Sequence, residues 1–249
     1  MLKFNAKHIK KQIVEWIQQY FEENGRDCKA VIGISGGKDS SIVAALLVEA
    51  LGKERVHGVL IPQGEQYDID VSIELVKLLG IPHSIVNIGS TVDSLYNALK
   101  DGDLSTNQSV KINSPARIRM TILYAVSAIV DGRVANTGNL SEDYVGYSTK
   151  FGDGAGDFSP LARLTVTEIK AIGRETGLPE KFIEKIPEDG LTGKSDEDNL
   201  GFSYDILDKY LREGVCDDRD IKDKIDRLHR NNVHKMKLIP AYEIDGDVI

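Results

Sequence analysis

The sequence predicts an α/β fold: a parallel, twisted sheet with helices on both faces and a helical C-terminal portion. Three observations carry this. From about residue 28 to about residue 165, short apolar runs alternate with longer segments of helical periodicity, the pattern of a parallel sheet covered on both sides. A glycine-rich turn, Gly33-Ile-Ser-Gly-Gly-Lys-Asp-Ser-Ser41, joins an apolar run to an apolar helix, the place where open α/β sheets bind ligands. Beyond residue 165, to about residue 236, only helical patterns remain. The 249 residues suit one domain, and 41% hydrophobic with 28% charged residues is an ordinary globular composition. A chain of this length buries roughly three-quarters of its unfolded surface and needs no disulfide or metal staple.

Each element follows from local pattern. Ile9, Ile13, Trp16, Ile17 and Tyr20 recur at helical spacing, so the N-terminal stretch reads as an amphipathic helix and has no apolar core of signal-peptide length. "CKAVIGI" is a buried strand and "SIVAALLVEALG" a buried helix stopped by Gly52. "RVHGVLIP" is the second strand. "DIDVSIELVKLLG" is a helix with Asp68 or Asp70 near its start, and "HSIVNI" is the third strand. "STVDSLYNALK" is a helix capped by Ser90 or Thr91. "SPARIRMTILYAVSAIV" is a longer helix with Pro115 in its first turn, and "RVANTG" is the fourth strand. Residues 138 to 160 form a Gly/Ser/Asp-rich stretch too long for a mere connector, which marks it as functional. Thr165 and Glu168 have capping-box spacing at the head of "TVTEIKAIGRETG". A second polar loop, "PEDGLTGKSDEDNLG", precedes the helices "SYDILDKYLREG" and "DRDIKDKIDRLHRNN".

Several function classes are disfavoured. No window approaches the ~18 consecutive apolar residues of a membrane span. A formal net charge of -8, without a basic stripe, argues against nucleic acid as a partner. Two cysteines, Cys28 and Cys216, suit a reducing cytoplasm and are too few for a disulfide framework or a four-cysteine zinc site. The five histidines do not cluster, so a metal here is held by carboxylates.

The glycine turn is no Walker loop: Gly33 is too near Gly37, and Asp39 follows Lys38 where a hydroxyl residue is needed. Gly36 and Gly37 let backbone approach an anion, while Ser35, Ser40 and Ser41 add hydroxyls beside a helix N-terminus. That is a pyrophosphate cradle. A carboxylate beside phosphates repels them unless a cation lies between, so Asp39 reads as a ligand for Mg2+.

S-G-G-x-D-S resembles the signature of the N-type ATP pyrophosphatases, which split ATP into AMP and pyrophosphate to activate a substrate as an adenylate. With "ARIRM" at Ala116–Met120, "TGNLSE" at Thr137–Glu142, "YSTKFGDGAGDFSPL" and "GKSDEDNLGFSYD" in that order, the chain resembles the ammonia-dependent NAD synthetases from about residue 10 to about residue 236. The resemblance implies a Rossmann-like fold of the adenine nucleotide alpha hydrolase type. It implies ATP-dependent amidation of deamido-NAD (nicotinate adenine dinucleotide) by ammonia, in a cytoplasmic homodimer. The length leaves no room for a glutaminase domain.

By resemblance, Gly33, Ser35, Gly36, Gly37, Lys38, Asp39, Ser40, Gln66, Arg119, Thr137 and Ser195 serve ATP. Asp39 and Glu142 hold the metal, and Asp39 and Asp153 are the catalytic carboxylates, Asp153 lying near the nicotinyl group and ammonia. Asn113, Arg117, Lys150, Asp153 and His234 serve deamido-NAD, and Tyr20 and Phe21 stack on its pyridine ring across the dimer interface. Two positions depart from the family. Val166 stands where a phosphate-contacting lysine is common, leaving Lys38, Lys150 or Lys194 to supply that charge; "HKM" near the C-terminus stands where "HKR" is common. Another adenylating pyrophosphatase, tRNA-modifying or sulfur-transferring, and a nucleotide-binding regulator without turnover are the competing readings.

Overall fold

The structure is a computed structural model, and it describes residues 4–65, 69–185 and 195–242. Helix α1 (Ala6–Asn24) starts at Asn5, whose side chain accepts from the His8 N–H, and buries Ile13, Ile17 and Phe21. Strand β1 (Lys29–Gly33) leads into α2 (Lys38–Leu51), then β2 (Val56–Leu60), α3 (Ile69–Leu79) and β3 (His83–Ile85). Next come α4 (Gly89–Asp101), α5 (Gln108–Val130), β4 (Gly132–Ala135) and α6 (Leu140–Val145). The remainder is helical: α7 (Val166–Glu175), α8 (Glu180–Ile183), α9 (Asp196–Leu200), α10 (Tyr204–Glu213) and α11 (Arg219–Asn232). Among the described residues, no helix is long and apolar enough to cross a membrane.

The strands form one sheet in the order β3-β2-β1-β4, every neighbouring pair parallel. Side chains alternate along β1: Ala30 and Ile32 face a core made with α1, α2, α7 and α8, while Val31 faces a second core with Val92, Met120, Leu123 and Val134. This is the two-sided cover that the apolar strands require. A third cluster, Val145, Val166, Leu200, Phe202, Tyr204, Leu207 and Ile225, ties α6 and α7 to the C-terminal helices. The chain leaves β1 toward β2 and returns to β4 on β1's other side, so a crevice opens at the carboxyl ends of β1 and β4.

Three expectations about element starts need correction. Helix α4 begins at Gly89 without a side-chain cap from Ser90 or Thr91; Asn87 Oδ1 accepts the Gly89 N–H at 2.9 Å instead, and also that of Gly64. Helix α5 begins at Gln108, capped by Asn107, so Pro115 lies inside it and leaves the Lys111 carbonyl without its helical donor. The stretch from 138 to 160 contains α6, capped by Asn139. Asp70 lies in the first turn of α3, whereas Asp68 lies outside the described residues. The capping box of Thr165 and Glu168 is present in full at α7.

Candidate active site

The loop after β1 turns through Gly36, whose φ of 76° favours glycine. A Cβ at Gly36 would lie 2.9 Å from Ser72 Oγ of α3 and 3.5 Å from Lys185 Nζ. Ser35 Oγ and Ser40 Oγ lie 3.0 Å apart, and the Ser41 hydroxyl donates to the Gly37 carbonyl at 2.8 Å. The free N–H groups of the first turn of α2 stand behind this loop, so backbone and hydroxyls together form an anion cradle.

Lys38 is 2% exposed, an uncommon place for an ammonium. Its Nζ lies 2.9 Å from Asp39 Oδ2 and 3.6 Å from Glu142 Oε1, and 5.6 Å from the centre of the Tyr204 ring. Burial opposes the charge on Lys38, but Asp39 and Glu142 outweigh it and hold the ammonium above its usual range. Burial, with Asp39 next, pushes the Glu142 carboxyl well above the ordinary carboxylate range. Asn139, fully buried at the head of α6, fixes both acids: its Oδ1 accepts the Glu142 N–H at 3.0 Å, and its Nδ2 donates to Asp39 Oδ1 at 3.4 Å.

The Glu142 shift carries a stability consequence. A carboxyl whose folded pKa is raised binds a proton more tightly in the native state, so stability falls as pH rises from the ordinary carboxylate range through the folded pKa. Glu142→Gln will therefore raise the thermal midpoint at pH 8, by ~2–4 °C for a gain of about 1 kcal/mol. Near pH 5 the gain will vanish. Melts at the two pH values check this, and a lower midpoint for the variant at pH 8 would contradict it.

Asp39 and Glu142 are partly open, with side-chain exposures of 17% and 18%, and both reach one ammonium. Two converging acids with oxygen to spare suit a hard divalent cation whose remaining ligands come from phosphate and water. Among the described residues no group of three His, Cys, Asp or Glu side chains is arranged for a metal. A cation here would depend on its nucleotide.

Ser35, Gly37, Lys38, Asp39, Ser40, Thr137, Gly138, Glu142, Ser148 and Asp153 line one cavity of about 140 Å³. This is below the ~300–1,000 Å³ of pockets that enclose a whole small ligand, so the closed part takes the charged end of one. Eight of the sequence-derived residues thus meet: Ser35, Gly37, Lys38, Asp39, Ser40, Thr137, Glu142 and Asp153. A hollow of about 300 Å³ beside α10, lined by Asp205, Lys209, Cys216 and Asp218 among others, contains none of them.

Other expected residues hold the loop that carries Asp153. Arg117 Nε donates to the Lys150 carbonyl at 3.2 Å, and Asn113 Oδ1 accepts from Thr149 Oγ1 at 2.9 Å. Asp153 accepts the Thr149 N–H at 2.9 Å, and burial raises its carboxyl. Arg119 Nε donates to the Ile61 carbonyl at 3.1 Å just past the end of β2; burial lowers its guanidinium, and the Asp153 charge opposes that. Lys150 Nζ donates to the carbonyl of His234, whose own ring is exposed.

Four expectations fare differently. Gly33 lies within β1 against Leu123 rather than in the cavity, since the strand runs through it. Phe21 is 1% exposed, with Phe158 edge-on and Arg55 above its ring, so it is core packing within the chain. Tyr20 stacks on Phe158 at 4.8 Å and donates to the Asp157 carbonyl at 3.3 Å, away from the cavity lining. Ser195 engages its hydroxyl in a capping box with Asp198 at the start of α9. Gln66 and Lys194 lie outside the described residues.

Sequence reasoning missed Asn139, Ser148, Asp196, Tyr204 and Lys185. Asn139 had a signal, because Asn-x-x-Glu has capping spacing. Asp196, 8% exposed, accepts from the Tyr204 hydroxyl at 3.5 Å; burial raises its carboxyl and Lys38 counters that. Val166, where a cation was wanted, is 4% exposed in the third cluster, and its N–H donates to Ser141 Oγ at 3.1 Å. Lys185 beside Gly36 brings an ammonium to the cradle from the segment after α8.

A parallel sheet with an anion cradle and a carboxylate pair at its switch point is the arrangement of a nucleotide-binding α/β enzyme. A family model described as NAD synthase matches residues 9–242. The chain belongs to the NAD synthase family, ligases that form a C–N bond. It is 34% identical over 263 residues to an NH3-dependent NAD+ synthetase of Pyrococcus furiosus, covering 100% of this chain and 99% of the relative. Among solved structures, an NMN synthetase from Francisella tularensis superposes with a TM-score of 0.89 at 30% identity, over 97% of this chain and 100% of the other. An NH3-dependent NAD synthetase from Campylobacter jejuni gives 0.79 at 28% identity, over 97% and 100%.

Proposed function

We infer that the chain amidates deamido-NAD with ammonia, consuming ATP and releasing NAD, AMP and pyrophosphate by way of an acyl-adenylate. The observation that carries this reading is the meeting of Asp39 and Glu142 at Lys38 on the phosphate cradle. Ser35, Gly37, Ser40 and the N-terminus of α2 hold the β- and γ-phosphates, which become the leaving pyrophosphate. The substrate carboxylate attacks the α-phosphorus, the bond to the β-phosphate oxygen breaks, and the acyl group gains AMP as a leaving group. The nitrogen lone pair of ammonia then bonds to the acyl carbon, the bond to AMP breaks, and Asp153 takes the proton that nitrogen loses. Asp39 and Glu142 would hold Mg2+, which when bound offsets repulsion between the attacking carboxylate and the phosphates. The chain's own part is positioning in a closed site, where water competes with ammonia for the adenylate.

Free ammonia is the nitrogen source in this reading. A homodimer is its assembly in this reading, and light scattering measures it. The acidic net charge supports small molecules over nucleic acid as partners.

One observation favours a second reading. Of the two solved structures above, the one with the higher TM-score, 0.89, is named for NMN, a mononucleotide. Both readings share the adenylation chemistry and differ in the length of the acid substrate. The test is AMP and pyrophosphate release from ATP and Mg2+, with ammonium and with deamido-NAD or nicotinate mononucleotide, each component omitted in turn. Release dependent on deamido-NAD, with NAD as product, supports the first reading. Preference for the mononucleotide by kcat/KM overturns it in favour of the second, and AMP release with neither acid overturns both.

A further inference from the structure

Among the described residues, Ser148 Oγ is the one buried side-chain polar atom without a hydrogen-bond partner. Buried polar groups are almost always paired, so an orphan in a folded site calls for a ligand. This orphan does not sit on a loose segment. Its own carbonyl accepts from Lys235 Nζ at 3.0 Å, and the next residue is fastened twice, Thr149 N–H to Asp153 and Thr149 Oγ1 to Asn113. One residue further, the Lys150 carbonyl accepts from Arg117. Polar groups on either side of the hydroxyl are engaged, and the hydroxyl alone is left over.

Ser148 lines the same cavity as Lys38, Asp39, Glu142 and Asp153. The three carboxylates only accept when ionised, Lys38 is engaged by two of them, and the hydroxyls of Ser35 and Ser40 face each other. Ser148 adds a neutral donor to this lining from the loop that also carries Asp153. A ligand oxygen between cradle and loop belongs to the group being transferred.

We propose that Ser148 Oγ donates a hydrogen bond to the oxygen of the reacting carboxyl group, in the acyl-adenylate and in the tetrahedral species formed as ammonia adds. This rests on the amidation reading above. When the nitrogen lone pair forms the C–N bond, the carbonyl π pair moves onto that oxygen; when the pair returns, the C–O bond to AMP breaks and nitrogen gives up its proton. The hydroxyl keeps its own proton throughout. It is strongest as a donor when the oxygen carries full negative charge, which makes it a transition-state contact.

The experiment compares Ser148→Ala and Ser148→Thr with the unsubstituted enzyme in amide formation, in ATP–pyrophosphate exchange and in thermal melts. For the alanine variant, kcat for amide formation is expected to fall about 100-fold with KM for ATP changed less than about threefold. Its thermal midpoint is expected to stay equal or rise, because an unpaired buried hydroxyl has been removed. The threonine variant, which keeps the hydroxyl, recovers at least about tenfold of the loss. An alanine variant with kcat within about threefold of the unsubstituted enzyme overturns the proposal, as does a lowered midpoint with no recovery in the threonine variant. No exchange or amide formation by the unsubstituted enzyme overturns the amidation reading itself, a separate outcome.

Discussion

Asp39→Asn will leave the chain folded and lower kcat for AMP formation by about 10³-fold or more. The substitution keeps the shape but only one acceptor oxygen; Lys38 donates to Oδ2 and Asn139 to Oδ1, so one of these two hydrogen bonds is retained. What disappears is one of the two negative charges that converge at the phosphates. Asparagine is a poor ligand for a hard cation that must share phosphate oxygens, and no third carboxylate of the described residues completes a metal site in its place. Removing the Asp39 charge also relieves Glu142, whose carboxyl is raised by burial and then by Asp39. The thermal midpoint is thus expected to stay within a few degrees while turnover collapses. Steady-state AMP release at saturating ATP and a melt on the same preparation measure both. Turnover near the unsubstituted level would mean that Asp39 takes no part in holding the metal.

The largest stability effect belongs to its neighbour. Lys38→Met leaves Asp39 and Glu142 facing each other in a partly closed cavity, and breaking a buried pair in this way costs about 3–5 kcal/mol. For a chain of this length each kcal/mol shifts the midpoint by ~2–4 °C. The loss has a pH signature with a defined sign. Without the ammonium the Glu142 pKa rises further, so the native state holds a proton that the unfolded chain releases, and stability declines as pH climbs above the ordinary carboxylate range. Melts between pH 5 and 8.5, with chelator and then with millimolar Mg2+, will show the deficit smallest at pH 5 and reduced by the metal at pH 8.5. A deficit flat across that range would remove the carboxylate pair as its cause.

Both predictions concern residues whose chemistry is legible in the amino-acid sequence. The cradle, its lysine and its aspartate lie within nine consecutive residues between a strand and a helix, so local pattern alone brings them together. Glu142 is legible only through its motif, because a six-residue helix has no periodicity to detect and its cap hides in a polar stretch. Asp196 and Tyr204 lie inside the quoted segment "GKSDEDNLGFSYD", but nothing in their spacing says that they come to Lys38. They reach Lys38 because α9 and α10 fold back on the third apolar cluster, a long-range event that spacing does not encode. Pro115 misleads for a definite reason: proline favours the first helical turn, but Asn107 upstream already supplies a cap, and α5 tolerates the lost donor. Phe21 and Ser195 show the converse, a motif position whose side chain is engaged in packing or capping in the structure.

The C-terminal end of α11 has a practical consequence for handling the protein. His229 stacks on Tyr144 at 3.9 Å, Asn232 donates to the Val145 carbonyl, and Lys235 donates to the carbonyls of Gly146 and Ser148. The fit is close: a Cβ on Gly146, whose φ is 70°, would lie 2.0 Å from Asn232 Cβ. A preparation clipped by protease just before residue 229 would keep the whole sheet, the anion cradle and both acids, Asp39 and Glu142. It would nonetheless lose these contacts and that of Lys150 with the His234 carbonyl, leaving Asn113, Arg117 and Asp153 to hold the Ser148 segment. Such a nicked sample would look folded by circular dichroism and still fail in assay, so intact mass is the quality control that matters for every kinetic comparison above.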